Sequence, residues 1–235
     1  MDPLADRLTR VRERIARACA RAGRDPKSVL LVAITKGFPA EAVRAAVSLG
    51  LTDFGENRVQ EAEDKIPEIA PRPRWHLVGH LQTNKAKRAV QLFDEIQSVD
   101  STRLAEELDR RAAQERRAMP CLVEVNTSGE ESKFGVGLEG AEALLERCRA
   151  LTSLQVHGLM TIGPLARGPE GARQAFRTLK GIRDAAVRGE LLPGSADLSM
   201  GMSDDFEIGI EEGATIVRVG SALFGPRPAG APPVG

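Results

Sequence analysis

The stretch Val29–Lys36, VLLVAITK, decides the fold. Its first seven residues are apolar or β-branched, and a lysine then ends the run just before Gly37-Phe38-Pro39. A short apolar run closed by turn residues reads as a strand buried on both faces, the kind found in parallel sheets. A lysine at the end of such a strand holds its ammonium near a low-dielectric floor. Burial lowers a lysine's pKa, and an uncharged amine can attack an aldehyde. A strand-end lysine can equally snorkel to solvent or pair with a carboxylate. The rest of the chain decides between these readings.

Before this strand, Leu4, Leu8, Val11, Ile15, Ala18 and Ala22 recur at helical spacing, and Gly23 closes the segment. After it, Pro39 opens a helix that ends at Gly50. Strand-like runs then follow at Leu51–Gly55, Trp75–Gly79, Glu95–Val99, Met119–Asn126, Gln155–Met160, Asp197–Ser199 and Thr215–Val219. Helical segments separate them: one follows Glu56-Asn57-Arg58, others cover 81–92, 102–117, 138–151 and 169–187, and a short one runs from Ser203 to Glu212. Asp100 or Ser101 is the expected cap of the third of these. Strict alternation predicts parallel strands with helices outside. Eight units in about 200 residues fit a single α/β (β/α)8 TIM-type barrel with an extra N-terminal helix. The alternative is an open doubly wound sheet, which the absence of a glycine fingerprint after the first strand disfavours. No linker splits the chain. Residues 1–225 are expected to form one barrel, and the Pro/Gly-rich tail 226–235 is expected not to order fully.

The chain has 235 residues, 42% of them hydrophobic, enough for a substantial core. Basic and acidic residues balance at 33 each, which argues against a nucleic-acid or membrane-surface partner. There is no apolar run long enough to span a membrane. The charged, amphipathic N-terminus does not read as a signal peptide. Cys19, Cys121 and Cys148 are unclustered and fit reduced thiols in a cytoplasmic protein. Seven lysines stand against 26 arginines, so candidate amine nucleophiles are few. There is no tyrosine.

In a barrel of this type, function gathers where strands end. Those ends carry Lys36, Glu56-Asn57, His80, Asn126, Met160-Thr161, Ser199 to Ser203, and Arg218 to Ser221. The last two βα loops often bind phosphate. Here they offer Ser199-Met200-Gly201 and Gly220-Ser221, with hydroxyls and glycines that let backbone N–H groups approach an anion. A helix beginning near Ser203 is expected to add its positive end. A lysine opposite a phosphate cup suits a phosphorylated aldehyde. Arg218 lies within an apolar run, where it must be paired or face the site. Facing the site, it can hydrogen-bond a pyridine nitrogen without protonating it. His76 and His80 lie on a strand and its end with no cysteine nearby, so a metal is not expected. The segment His80–Lys85 reads as the site rim, and Lys85, Lys87 and Arg88 as a solvated face.

The segments VAITKGFPAEAV, FGENRVQEAEDK, WHLVGHLQTNKAK, VEVNTSGEESKFGV, HGLMTIGP and LSMGMSDDFEIGIEEGATIVRVGSALFG span Val32 to Gly225. In these segments the chain resembles the pyridoxal phosphate homeostasis proteins, whose fold is that of the alanine racemase barrel domain. The resemblance implies pyridoxal 5′-phosphate (PLP) as cofactor, with Lys36 as the lysine that forms its Schiff base. It implies Asn57 near the ring, with His80 and Met160 at the same strand ends, and Arg218 at the ring nitrogen. Ser199, Met200, Gly220 and Ser221 are implied around the phosphate. Arg58 stands where an aromatic is common, and Gly37-Phe38 separates the lysine from Pro39. The expected role is to hold and release PLP, with PLP-dependent apo-enzymes as recipients. The rivals are a PLP-dependent amino-acid racemase and a sugar-phosphate barrel enzyme. Related racemases take a second acid/base from a tyrosine and complete their sites with a further β-rich domain. This chain has no tyrosine and few residues after Gly225, so a monomer without racemase activity is expected.

Overall fold

The structure is a computed structural model that describes residues 3–130, 133–164 and 168–226. The strands are β1 (Leu30–Ile34), β2 (Asp53–Glu56), β3 (Arg74–Leu77), β4 (Glu95–Val99), β5 (Met119–Glu124), β6 (Leu154–Met160), β7 (Asp197–Ser199) and β8 (Ile216–Val219). They close a barrel in sequence order, and every pairing is parallel. The last strand returns to the first with Val32 opposite Arg218 and Ala33 opposite Val219. That closure rules out the open sheet.

The helices are α1 (Pro3–Arg21), α2 (Ala40–Ser48), α3 (Val59–Lys65), α4 (Ala86–Leu92), α5 (Thr102–Gln114), α6 (Ala141–Arg149), α7 (Gly168–Arg188), α8 (Phe206–Glu211) and α9 (Ser221–Phe224). Ser101, not Asp100, caps α5 by accepting from Leu104 N. Alternate strand residues serve two cores. Ala33, Phe54, Trp75, Ile96 and Val217 pack against the helix layer, with the Phe54 and Trp75 rings 5.7 Å apart. Val32, Ile34, Val78, Leu122, Met160 and Ile216 form a second, separate cluster. They come from strands that are not all neighbours, so they meet inside the barrel. The three cysteines are free and buried. Among the described residues no helix is long and apolar enough to cross a membrane.

Helix α1 buries Leu8, Val11, Ile15, Ala18 and Cys19. Arg14 pairs with Glu207 at 2.8 Å and lies 4.4 Å from the Phe206 ring centre, and Arg7 donates to Phe224 O at 3.2 Å. The extra helix therefore braces α8 and α9, which border the site described below.

Two expectations need correction. The first strand ends at Ile34, so Lys36 sits in the turn beyond it, half-buried. The short helix after β7 starts at Phe206, not Ser203. Asp205 Oδ1 accepts from Met202 N at 2.6 Å and holds the intervening residues as a turn. The helix nearest the last loop is instead α9, which the sequence reading did not anticipate. From Arg227 on, the tail lies outside the described residues.

Strand β6 approaches β7 closely at Gly158, where a Cβ would stand 2.3 Å from Asp197 O and 2.7 Å from Asp197 N. Backbone cannot yield there as a side chain can. Gly158→Ala is expected to cost about 1–3 kcal/mol, read as a lower urea midpoint at unchanged slope. A native midpoint would contradict this close approach.

Candidate functional site

The C-terminal mouth of the barrel holds a cavity of about 400 Å³ lined by Ile34, Lys36, Phe38, Met202, Ser203, Asp204, Arg218, Gly220, Ser221, Gly225 and Pro226. Gly201 has φ of +96°, and a Cβ there would stand 2.7 Å from Phe206 Cα, so only glycine turns the chain here. The turn brings Ser203 Oγ to the start of α9, where it accepts from Gly220 N and Ala222 N at 3.2 Å each. The last two βα loops are thereby tied together around hydroxyls and backbone donors.

Arg218 points inward from β8 and is 4% exposed. Its Nη1 donates to Ser199 Oγ at 2.7 Å and its Nη2 to Thr161 O at 2.8 Å. Burial pushes its pKa down to about 10, against the pull of Glu124 and Asp205. The hydrogen bonds that hold it go to a hydroxyl and a carbonyl, so a buried ion pair does not account for it.

The structure thus brings Lys36, Arg218, Gly220 and Ser221 to one cavity. It does not bring the side chains of Ser199 and Met200 there. Strand alternation turns Ser199 inward, fully buried beneath Arg218, and turns Met200 into the core between sheet and helices. The chain reaches the mouth only at Met202 and Ser203, which the sequence reading passed over as ligands. Met160 is buried in the inner apolar cluster. Asn57 and His80 line a second hollow of about 560 Å³ at the mouth, with Arg58, Gln82, Lys85, Glu124, Phe134 and Ile162 among its walls. His80 Nδ1 lies 3.0 Å from Asp100 Oδ2, and its ring stacks on Phe134 with centroids 3.9 Å apart.

Beneath the Lys36 turn lies an ion cluster. Lys65 Nζ donates to Glu56 Oε1, to Glu61 Oε1 at 2.9 Å and to Thr35 O at 2.8 Å. Thr35 Oγ1 donates to Glu56 Oε1 at 2.6 Å, and Gly37 N donates to Glu61 Oε1 at 2.6 Å. Residues on both sides of Lys36 are therefore fixed by one buried network. Lys65 and Glu56 are both buried. The Glu61/Lys65 spacing of four on a helix was the available signal, but Glu56 read as loop and its partner could not be foreseen.

Glu124 ends β5 at the second hollow, 3% exposed, and its Oε2 has no hydrogen-bond partner among the described residues. Burial, with Asp100 nearby, pushes its carboxyl up to about 7, against the pull of Arg218.

The alanine racemase N-terminal domain family matches residues 7–228. A pyridoxal phosphate homeostasis protein of Aquifex aeolicus is 44% identical over 94% of this chain and 97% of its own length. That of Pseudomonas aeruginosa is 41% identical over 99% of both chains. The chain belongs to the pyridoxal phosphate homeostasis protein family. Among solved structures, PipY of Synechococcus elongatus with PLP bound superposes with a TM-score of 0.83 at 37% identity, covering 94% of this chain and all of that one. An alanine racemase of Clostridium difficile shares the fold alone, at 14% identity and a TM-score of 0.75, and this chain covers 58% of it.

Two predictions follow from the buried groups. Lys65→Met leaves Glu56 buried without its cation and is expected to cost about 3–5 kcal/mol, with Glu56→Gln in the same chain restoring most of it. Denaturant titration measures both; a loss that the second change leaves untouched contradicts the pairing. A carboxyl held at about 7 rather than 4.5 is protonated in the folded state before the unfolded one. Its cost to folding is absent below about pH 4, grows as pH rises toward 7, and reaches roughly 3 kcal/mol above that. Glu124→Gln should therefore gain stability over the native protein as pH rises from 5 to 8, and a constant difference contradicts the assignment.

Proposed function

We infer that this chain binds PLP in the cavity beside Lys36 and serves PLP homeostasis. The observation that carries the reading is one cavity lined by a lysine amine, a buried guanidinium and the hydroxyls of Ser203 and Ser221, with Ser203 tying the two loops together by accepting from Gly220 N and Ala222 N. That donor set fits PLP group by group. When bound, PLP supplies an aldehyde and an electron-withdrawing pyridine ring. Lys36 Nζ would hold the aldehyde carbon, water being released as the bond forms. Arg218, which only donates, would pair with the ring nitrogen and leave it unprotonated. Ser203, Gly220 and Ser221 would hold the phosphate. Ile34, which lines the cavity, belongs to the inner apolar cluster with Val78 and Met160. PLP bound to PipY and the homeostasis role named for the relatives support the same assignment.

The finer reading is a non-catalytic monomer in the cytoplasm that hands PLP to PLP-dependent apo-enzymes. Racemisation needs an acid/base on each face of the substrate, and the chain has no tyrosine to serve as the second. Asn57 and His80 stand at the neighbouring hollow, where an incoming amine has access to the mouth.

Borohydride reduction of PLP-loaded protein followed by peptide mapping is expected to place the pyridoxyl group on Lys36. Lys36→Ala should lose the reducible visible band and keep the native denaturation midpoint. Label found mainly on Lys85 or Lys133 overturns the reading.

A further inference from the structure

A line of side chains crosses the barrel interior below Arg218. Arg218 Nη1 donates to Ser199 Oγ at 2.7 Å, and Ser199 Oγ donates to Gln97 Oε1 at 2.7 Å. Gln97 Nε2 lies 3.0 Å from Glu95 Oε1 and 3.1 Å from His76 Nδ1. His76 Nε2 lies 2.9 Å from Asp53 Oδ1. Ser199, Gln97 and His76 are fully buried. Strands β7 and β4 are not neighbours in the barrel, so the Ser199–Gln97 bond spans the interior.

The chemistry of the partners fixes the direction of each bond. The Glu95 carboxylate only accepts, so the Gln97 amide nitrogen must face it and the amide oxygen must face Ser199. The second amide hydrogen then meets His76 Nδ1, which must accept. The imidazole proton is left on Nε2, facing Asp53. Every hydrogen thus points the same way, from the guanidinium toward the Asp53 carboxylate. Aligned bonds polarise one another in a low-dielectric interior. The buried cation of Arg218 is supported in this way by a distant carboxylate, with only neutral groups in contact.

We propose that Gln97 is a positioning residue for Arg218, and that the proton state of His76 sets the orientation of the Gln97 amide and so the anchoring of the guanidinium. The inference rests on the reading that Arg218 faces the cofactor ring. A second proton on His76 would sit on Nδ1 and be drawn to Glu95 Oε1, 3.4 Å away. It would oppose the Gln97 N–H. That Nδ1–H replaces the Gln97 N–H on Glu95 Oε1, which frees the amide to turn over; Ser199 then faces an N–H instead of a carbonyl, and the run of donors breaks at the hydroxyl that holds Arg218.

The groups around His76 are Asp53 on β2, Glu95 and Gln97 on β4, and Arg74 on its own strand, which pairs with Glu95 at 2.8 Å. Beyond Glu95, His157 on β6 lies 3.7 Å from Oε2 and pairs with Asp197 on β7 at 3.1 Å. Burial pushes the His76 pKa down, but its hydrogen bonds and the charges of Asp53 and Glu95 outweigh that and raise it above the ordinary imidazole value. The turnover therefore falls at a higher pH than for a free histidine.

Side-chain NMR of the unloaded protein from about pH 5 to 9 tests the relay. The His76 ring nitrogens, the Gln97 amide and the Arg218 guanidinium should move with one midpoint. Arg218 signals that stay fixed while His76 titrates overturn the proposal. This measurement stands apart from PLP binding, so a failure of the cofactor reading leaves it decisive for the relay. In loaded protein, Gln97→Met and Ser199→Ala should each weaken PLP and pyridoxal alike, by about tenfold, and the double variant should weaken them no further. The visible band of the loaded native protein should shift with the His76 midpoint, and His76→Gln should abolish that shift while the band itself remains. Additive losses, or losses for PLP but not pyridoxal, point to general damage or to the phosphate loops and contradict the assignment. A pH shift that survives in His76→Gln contradicts it as well.

Discussion

The structure depends on keeping one guanidinium buried in a barrel with no carboxylate touching it among the described residues. A buried cation is costly, and proteins usually answer with a contact ion pair. Here Arg218 is held by a hydroxyl, Ser199, and a carbonyl, Thr161 O. An ion pair would cancel its charge before any ligand arrived. The more distant carboxylates of Glu124 and Asp205 supply a field instead. The polar residues of β4, Glu95 and Gln97, are there for the same reason. They make the lower interior of the barrel a hydrogen-bonded frame, while Val32, Leu122 and Ile216 fill the remaining space.

The lysine is placed by a second device. Glu56, Glu61 and Lys65 grip Thr35 and Gly37, the neighbours of Lys36 on either side. That grip lies outside the barrel wall, so the amine can stay half-buried at the mouth while its backbone is fixed from behind. The network joins β2 and α3 to the first βα turn. The position of α3 is therefore tied to that of the Lys36 turn.

The strand and helix order was readable because apolar runs and turn residues alternate with little ambiguity; even the three-residue β7 stood out between its helices. Boundaries moved by one or two residues where hydrogen bonding to a neighbouring strand, not hydrophobicity, decides the end, as at Glu56. Strand-end reasoning groups Lys36, Arg218, Gly220 and Ser221, and these four line one cavity. The side chains of Ser199 and Met200 point away from that cavity, because proximity in sequence to an anion loop says nothing about which face of the strand a side chain leaves from. The role of Ser203 in joining the two loops is not legible in the sequence, since its hydroxyl acts across 17 residues on Gly220 N. Gln97, His76 and Asp53 left no motif at all. Their partners lie on four strands, β2, β3, β4 and β7, and only barrel closure brings them together.

The account stands or falls on what Arg218 does to the bound ring. PLP labelled with ¹⁵N at the pyridine nitrogen reports this directly once loaded into the protein. The account predicts the chemical shift of an unprotonated, hydrogen-bond-accepting nitrogen in the native protein, lost or displaced in Arg218→Gln. A pyridinium shift, or one unchanged by that substitution, contradicts it.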